Sequence, residues 1–139
     1  MLPRSSYALS LKQPWAALVV AGRKTIEVRK WATAVRGRVF IHAARTPDSR
    51  PQGWALVTDE VRPLAQLTAG IIGTAELTAC LSYRTPEGFA ADADKHRNAP
   101  DWFQPPRMYG FLFRAAEPVP YRPCKGSVRF FTIEPPEAR

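Results

Sequence analysis

The sequence KQPWAALVVAGRKTIEVR, residues 12–29, decides the fold of this 139-residue chain. Pro14 suits the first turn of a helix, where its missing N–H costs nothing, and Gly22 suits the position after the last turn. The predicted helix has one apolar face, formed by Trp15, Leu18 and Val19. Alternating residue types then predict a strand over 24–31. Three cations and one carboxylate fall in the last eight residues of the stretch, which predicts the floor of a cleft that accepts an anion.

Side chains alternate between two faces along the predicted strand 24–31. Glu27, Arg29 and Trp31 share one face, whereas alternation places Lys24 on the other. Lys24 therefore reaches the cleft of Glu27 and Arg29 only if it lies at the helix–strand corner, where alternation no longer applies.

Further short strands are predicted on either side of this corner. The patterns mark strands at 7–11, 38–44, 70–83, 109–114 and 128–133. Residues 118–120, with two prolines, can form only a strand edge or a loop. Residues 46–53 read as a loop, and a helical pattern in the first half of 52–66 is ended by Pro63.

Residues 85–106 are the least regular part of the chain and are predicted to be an insertion over one end of the fold, with a short helix near 86–96. The tail at 135–137 is predicted to fray. The whole chain, 1–139, then forms a single α+β domain: a small mixed β-barrel of five or six strands with short helices at its rim.

The net charge of +8 is unevenly distributed. Residues 1–50 hold ten Lys and Arg residues against two acids, and residues 51–139 hold ten against ten. The excess therefore indicates one basic face, which is typical of proteins that bind nucleic acids, nucleotides or anionic membranes. The alternative is a solvated, arginine-rich surface.

The cysteines and motifs of the sequence also restrict the metals and cofactors that the protein could bind. The two cysteines, Cys80 and Cys124, are 44 residues apart, and the sequence has no metal-ligand spacing and no phosphate-loop or dinucleotide motif. We therefore expect no metal and no cofactor. Without a signal peptide or a long apolar run, the sequence predicts a cytoplasmic protein that does not enter the membrane.

The motif G-x-K-x-x-E-x-R at residues 22–29 resembles the signature of ASCH domains, relatives of the PUA RNA-binding fold. The similarity continues in LSLKQPW at 9–15, RG at 36–37, IHA at 41–43, GIIGTAEL at 70–77, YGF at 109–111 and KG at 125–126. This resemblance implies a PUA-like β-barrel with a cleft around the signature. It also implies a role with RNA or with a modified nucleoside. Together with the basic first third of the chain, this leads us to predict a module that binds single-stranded RNA or a nucleotide.

The family's known members imply an enzymatic alternative in the same cleft: an amidohydrolase for an acylated nucleoside, or a single-strand ribonuclease. The amidohydrolase uses a lysine, a threonine three residues later and a more distant glutamate. Lys24 matches the lysine, Glu27 stands where the threonine would be, and Glu87 is the candidate for the glutamate. If the protein is an enzyme, Lys24 and Glu27 are its candidate catalytic residues.

Six residues are candidates for ligand binding: Lys12, Trp15, Lys24, Glu27, Arg29 and Trp31. The three cations would attract phosphate, and Glu27 would accept hydrogen bonds from a base amino group or a hydroxyl. Trp15 or Trp31 would stack on a base, a contact worth ~1–3 kcal/mol. The simpler alternatives are an exposed lysine, a surface ion pair between Glu27 and Arg29, and core packing of Trp15.

Three other residues are assigned mainly structural roles. His42 has apolar neighbours along its strand and is interpreted as a structural histidine before a ligand or base. Glu76 is the only acid of its strand and faces either the cleft or water, and Trp102 is interpreted as packing for the insertion. A protein-interaction module without nucleic acid remains the third functional hypothesis, and it requires a large exposed apolar patch.

Overall fold

The structure, a computed structural model, describes residues 6–134. The strands are β1 (Ser6–Leu11), β2 (Ile26–Arg29), β3 (Gly37–Ala43), β4 (Gly70–Tyr83), β5 (Met108–Pro123) and β6 (Phe131–Ile133). The helices are α1 (Trp15–Val20), α2 (Pro51–Trp54), α3 (Arg62–Ala65), α4 (Pro86–Ala91) and α5 (Ala93–His96), and a 3-10 turn covers Pro100–Trp102. In this part of the chain, no helix is long and apolar enough to cross a membrane. The tail predicted to fray, 135–137, lies outside the described residues.

The strands form one mixed sheet in the order β2-β5-β4-β3-β1-β6. β1 and β3 are parallel, and the other neighbouring strands are antiparallel. The predicted small α+β fold is confirmed, and β4 has the predicted bounds. The hydrogen-bonded ladder does not close into the predicted barrel, because β2 and β6 remain its two edges.

Aromatic side chains, rather than backbone hydrogen bonds, join these two edges. β2 and β6 have only four and three residues, shorter than the predicted 24–31 and 128–133. Trp31, after β2, packs edge-to-face on Phe130, before β6, with ring centroids 5.9 Å apart. Both rings also contact Phe111 of β5, which is fully buried. The sheet therefore curls until its edges meet through this aromatic cluster.

β5 is much longer than the predicted strand at 109–114. It continues through residues 118–120 to Pro123, pairing with β4 across several register shifts. Prolines are tolerated there because β2 pairs only with residues 109–112, so the later part of β5 is an edge with one neighbour.

The predicted helical segment at 52–66 differs from prediction, whereas the one near 86–96 is present. The pattern at 52–66 folds as two separate four-residue helices, α2 and α3, and Pro63 lies in the first turn of α3 instead of ending a helix. This position suits proline, whose missing N–H would have no intrahelical partner. The segment 85–106, predicted to be an insertion, contains the predicted helix near 86–96 as α4 and α5, and Thr85 caps α4 by accepting a hydrogen bond from the Gly88 N–H.

α1 is buried on all sides, not on one face as predicted. All six of its residues are buried, because it packs between the sheet and α3. The predicted stop is present: Gly22 has a φ of +76°, a left-handed conformation that glycine adopts without strain. The chain then turns directly into β2, which sets the helix–strand corner against the sheet.

Candidate functional site

A three-residue ion network occupies the helix–strand corner. The Glu27 carboxylate lies between two cations: its Oε1 is 3.5 Å from Lys24 Nζ, and its Oε2 is 2.9 Å from Arg29 Nε. Arg29 and Glu27 meet because they share a face of β2. Lys24 precedes the strand by two residues, so alternation does not apply to it and it reaches the same carboxylate.

Lys24 is almost completely buried, with 2% of its surface exposed. Its ammonium also donates to the His96 carbonyl oxygen at 2.5 Å and contacts the Asn98 side-chain oxygen at 3.4 Å. Burial lowers the pKa of Lys24, and the Glu27 carboxylate opposes this by favouring the charged form. The insertion, residues 85–106, thus supplies two of the three acceptors and covers this end of the cleft.

Arg29 links β2 to the first strand. Its Nη2 donates to the Ser10 carbonyl oxygen at 2.8 Å, while its Nε remains with Glu27. Trp31, on the same predicted face, lies within the aromatic cluster at the sheet edges, with the Arg129 guanidinium 5.0 Å from its ring centre. Within residues 6–134, Trp31 lines none of the cavities described below.

A second ion pair lies beside Trp15. The Trp15 indole N–H donates to Asp48 at 2.9 Å, and Arg50 binds the same carboxylate through its Nε and Nη2. The hydrogen bonds from Arg50 hold the pKa of the Asp48 carboxyl well below its usual range, with Trp15 adding to the effect. The Arg50 guanidinium stacks on the Trp102 ring at 3.6 Å, so Trp102 belongs to the site as well as to the insertion.

Three adjoining cavities, with volumes of about 730, 420 and 110 Å³, connect these groups and together form one groove. The largest of the three cavities is lined in part by His42, Arg45 and Lys125. The first two share Ser10, Ala44, Ser127 and Val128. The second and third share Trp15, Glu27 and Arg50. The groove thus runs from the end of β5 to the buried ammonium of Lys24.

Cations line the groove along its whole length. Lys12, Arg45 and Lys125 are exposed there and form no ion pair within the described residues. Two arginines, Arg29 and Arg50, are instead held by carboxylates. The groove therefore has an inner part with paired charges and an outer part with free positive charge.

Sequence reasoning placed Lys12, Trp15, Lys24, Glu27 and Arg29 at the site, and the structure brings these five to the groove. The sequence patterns did not identify the other polar or aromatic residues that line the groove: Ser10, Arg45, Asp48, Arg50, Asn98, Trp102, Lys125 and Ser127. One signal was available for Asp48. It is one of only two acids in residues 1–50, and both of these acids pair with groove arginines.

Glu76 lies away from the groove and pairs with Arg114 at the surface of the sheet. Among the described residues, no group of three or more side chains could hold a metal ion.

The ASCH domain family model matches residues 9–120 of the chain. Human Activating signal cointegrator 1 is 30% identical over 139 residues, covering 92% of this chain and 22% of that protein. The mouse protein of the same name is 51% identical over 37 residues, 27% of this chain and 6% of its own length. The chain thus spans about a fifth of the human relative.

Solved structures from Zymomonas mobilis share the fold. The crystal structure of ASCH from that organism has a TM-score of 0.66 and 18% identity, covering 95% of this chain and 90% of the other. A single-residue variant of the same protein has a TM-score of 0.66 and 17% identity, covering 96% and 92%. At these identities the similarity establishes the architecture alone.

Proposed function

The chain belongs to the ASCH domain family, and on that premise we propose that its groove binds single-stranded RNA or a nucleotide. The observation that carries this proposal is the row of exposed cations without ion pairs within residues 6–134, formed by Lys12, Arg45 and Lys125 along the groove. Free cations along a channel attract a phosphate backbone, and each phosphate contact releases counterions.

The paired charges of the inner groove serve a different purpose. Glu27 cancels one of the two charges of Lys24 and Arg29, so these three residues add a single net positive charge to the long-range attraction, against three from the exposed cations of the outer groove. The remaining N–H groups of Arg29 and the Glu27 carboxylate, both held in place by this network, suit hydrogen bonds to a base edge or a hydroxyl instead. The proposal therefore assigns affinity to the outer groove and selectivity to the inner groove.

A base-stacking surface is available beside the inner groove. Trp15 is largely buried, with the edge of Trp102 against it and Lys24 Nζ 4.9 Å from its ring centre. The half-exposed Arg50 side chain covers Trp102 and presents a planar guanidinium. Nucleic-acid bases stack on such planes as well as on aromatic rings, so we assign stacking to Arg50 on Trp102.

A hydrolase centred on Lys24 and Glu27 remains the alternative for this cleft. A buried lysine with a lowered pKa beside a carboxylate can transfer protons. However, three acceptors already match the three N–H bonds of the Lys24 ammonium, and the insertion covers it. This arrangement favours binding over Lys24-based chemistry.

Removing the three free cations tests the proposal. We expect the triple variant Lys12→Ala/Arg45→Ala/Lys125→Ala to bind a labelled single-stranded RNA of about 12 nucleotides roughly 10- to 100-fold more weakly at low salt. The plot of log affinity against log salt should become shallower by about 2, because each phosphate contact on a single strand contributes about 0.7 to the slope. Fluorescence anisotropy at several salt concentrations measures both quantities.

A second triple variant, Arg36→Ala/Arg84→Ala/Arg107→Ala, removes the same charge from exposed positions that line none of the described cavities. We expect it to retain affinity within about threefold, since non-groove charge acts only through the screened overall field. Equal losses in the two triple variants would show that net charge, and not the groove, binds RNA.

A further inference from the structure

A serine and a histidine lie side by side where the two wider cavities of the groove meet. Ser10 on β1 and His42 on β3 are register partners in the parallel pair. Ser10 Oγ is 2.8 Å from His42 Nδ1, and Ser10 lines both cavities. RNA binding through the cations makes no use of this contact.

The other ring nitrogen determines which atom carries the proton. His42 Nε2 lies 2.8 Å from the Cys124 carbonyl oxygen. A carbonyl can only accept, so Nε2 carries the hydrogen and Nδ1 has the lone pair. The Ser10 hydroxyl must then donate to Nδ1. This is the arrangement of an activated nucleophile: a hydroxyl, a base that takes its proton, and a third group that orients the base.

The surroundings keep the pair ordered and open to the cavity. The His42 ring is buried and packs edge-to-face on Phe131 at 5.6 Å. Gly126 lies so close that a Cβ there would be 2.7 Å from His42 Cε1 and 3.0 Å from Ser10 Oγ. Any larger residue at 126 would crowd the reacting atoms, so glycine leaves the approach to Ser10 clear.

The same cavity wall provides groups for an anion. The backbone N–H groups of residues 125–127 make no hydrogen bond within the described residues, and their segment lines this cavity. Unpaired N–H groups near a nucleophile can stabilise the oxyanion of a tetrahedral intermediate. Arg45 and Lys125 line the same wall, which favours a substrate that carries negative charge.

We propose that Ser10 is the nucleophile and His42 the base of an acyl-transfer site that hydrolyses carboxylic esters bearing a negative charge. Ser10 Oγ bonds to the ester carbonyl carbon as its proton passes to His42 Nδ1. The carbon–oxygen bond to the alcohol breaks, and the departing oxygen takes that proton. Water then attacks the acyl-serine, giving one proton through His42 back to Ser10 Oγ and releasing the carboxylic acid. This activity goes beyond the proposed RNA binding and does not depend on it.

A fluorophosphonate probe, which bonds covalently to activated serines, tests the proposal on the unaltered protein. We expect mass spectrometry to locate the adduct on Ser10 and labelling to be absent from Ser10→Ala. Hydrolysis of 4-nitrophenyl hemisuccinate should exceed that of the neutral 4-nitrophenyl acetate. It should fall at least about 100-fold in Ser10→Ala, since a positioned base alone typically contributes 10²–10⁴-fold.

Ser82→Ala is the matched control, because Ser82 is exposed on β4 and lines none of the described cavities. It should retain labelling and hydrolysis in full. No adduct on Ser10 of the unaltered protein, or equal hydrolysis by Ser10→Ala, would overturn the proposal. The unaltered protein separates the two ideas: an adduct on Ser10 without salt-dependent RNA binding would support the ester hydrolase and contradict the RNA proposal, and RNA binding without an adduct would do the reverse.

Discussion

Replacing Glu27 by glutamine should destabilise the protein by about 3–5 kcal/mol, the usual cost of removing one partner from a buried ion pair. The carboxylate contacts both Lys24 and Arg29, and only 12% of its side chain is exposed. Glutamine has nearly the same shape, so packing is preserved while the two cations lose their counter-charge. The midpoint of urea unfolding, followed by tryptophan fluorescence, measures the loss.

The pH dependence provides a second measurement with a defined sign. Burial lowers the pKa of Lys24 below its usual value of 10.5, so the folded state binds this proton less tightly than the unfolded state. Burying the charged Lys24 side chain lowers the free energy of unfolding in full at any pH below the lowered pKa. This destabilisation decreases as the pH rises towards 10.5. Glu27 is the charged group that opposes the effect of burial, so without it the pKa of Lys24 falls further, and the difference in stability between variant and native protein should narrow as the pH rises.

Glu76→Gln is the control for this prediction. Glu76 also pairs with an arginine from a strand, Arg114, but the Arg114 side chain is 73% exposed. Exposed pairs contribute ~0–1 kcal/mol, so this variant should unfold close to the native midpoint. The Glu27 and Glu76 variants could lose similar stability, or the stability difference between the Glu27 variant and the native protein could widen as the pH rises. Either result would show that the buried ion network does not stabilise the fold.

Replacing Phe111 by alanine should cost a comparable 3–5 kcal/mol, about the loss expected for a fully buried phenylalanine. Phe111 packs on Trp31 at 5.2 Å and on Phe130 at 5.9 Å between ring centroids. Its loss removes the contact that holds the two sheet edges together. Thermal unfolding measures the global effect.

The local effect of the Phe111 change should be largest at β6. This strand has three residues and, within residues 6–134, pairs only with β1, so the aromatic cluster next to it is its main additional support. We expect hydrogen exchange of the β6 amides to accelerate more than that of β4, which lies between two strands.

Tyr7→Ala serves as the matched control for the aromatic cluster. Tyr7 touches Phe130 edge-on but is 48% exposed. Surface substitutions are usually within about 0.5 kcal/mol of native stability, so its cost should be small. A small loss in Phe111→Ala, or unchanged exchange in β6, would mean that the edges are held by something other than this cluster.

Much of the fold and part of the site could be predicted because they depend on spacing along the chain. Period two placed Glu27 and Arg29 together, and they form an ion pair at 2.9 Å. Pro14 and Gly22 marked both ends of α1. These features follow from backbone geometry over a few residues, which the order of residue types specifies directly.

Prediction was wrong where the outcome depended on neighbouring elements. Pro63 reads locally as a helix stop, yet it lies in the first turn of α3. For residues 118–120 the sequence left edge and loop open, and the structure decides for an edge: they extend β5, because the adjoining strand ends early and leaves one side of β5 free. Whether a proline is tolerated depends on what lies opposite it.

The sequence by itself determined the family, the α+β class, the helix–strand corner and the basic character of the first fifty residues. Only the tertiary structure decided that Lys24 is buried, because its acceptors on His96 and Asn98 are 72 and 74 residues away. It also decided that Ser10 meets His42, since that contact depends on the register of two parallel strands. Local patterns specify which face a side chain occupies, whereas the order of strands and the path of the insertion determine which distant groups face it.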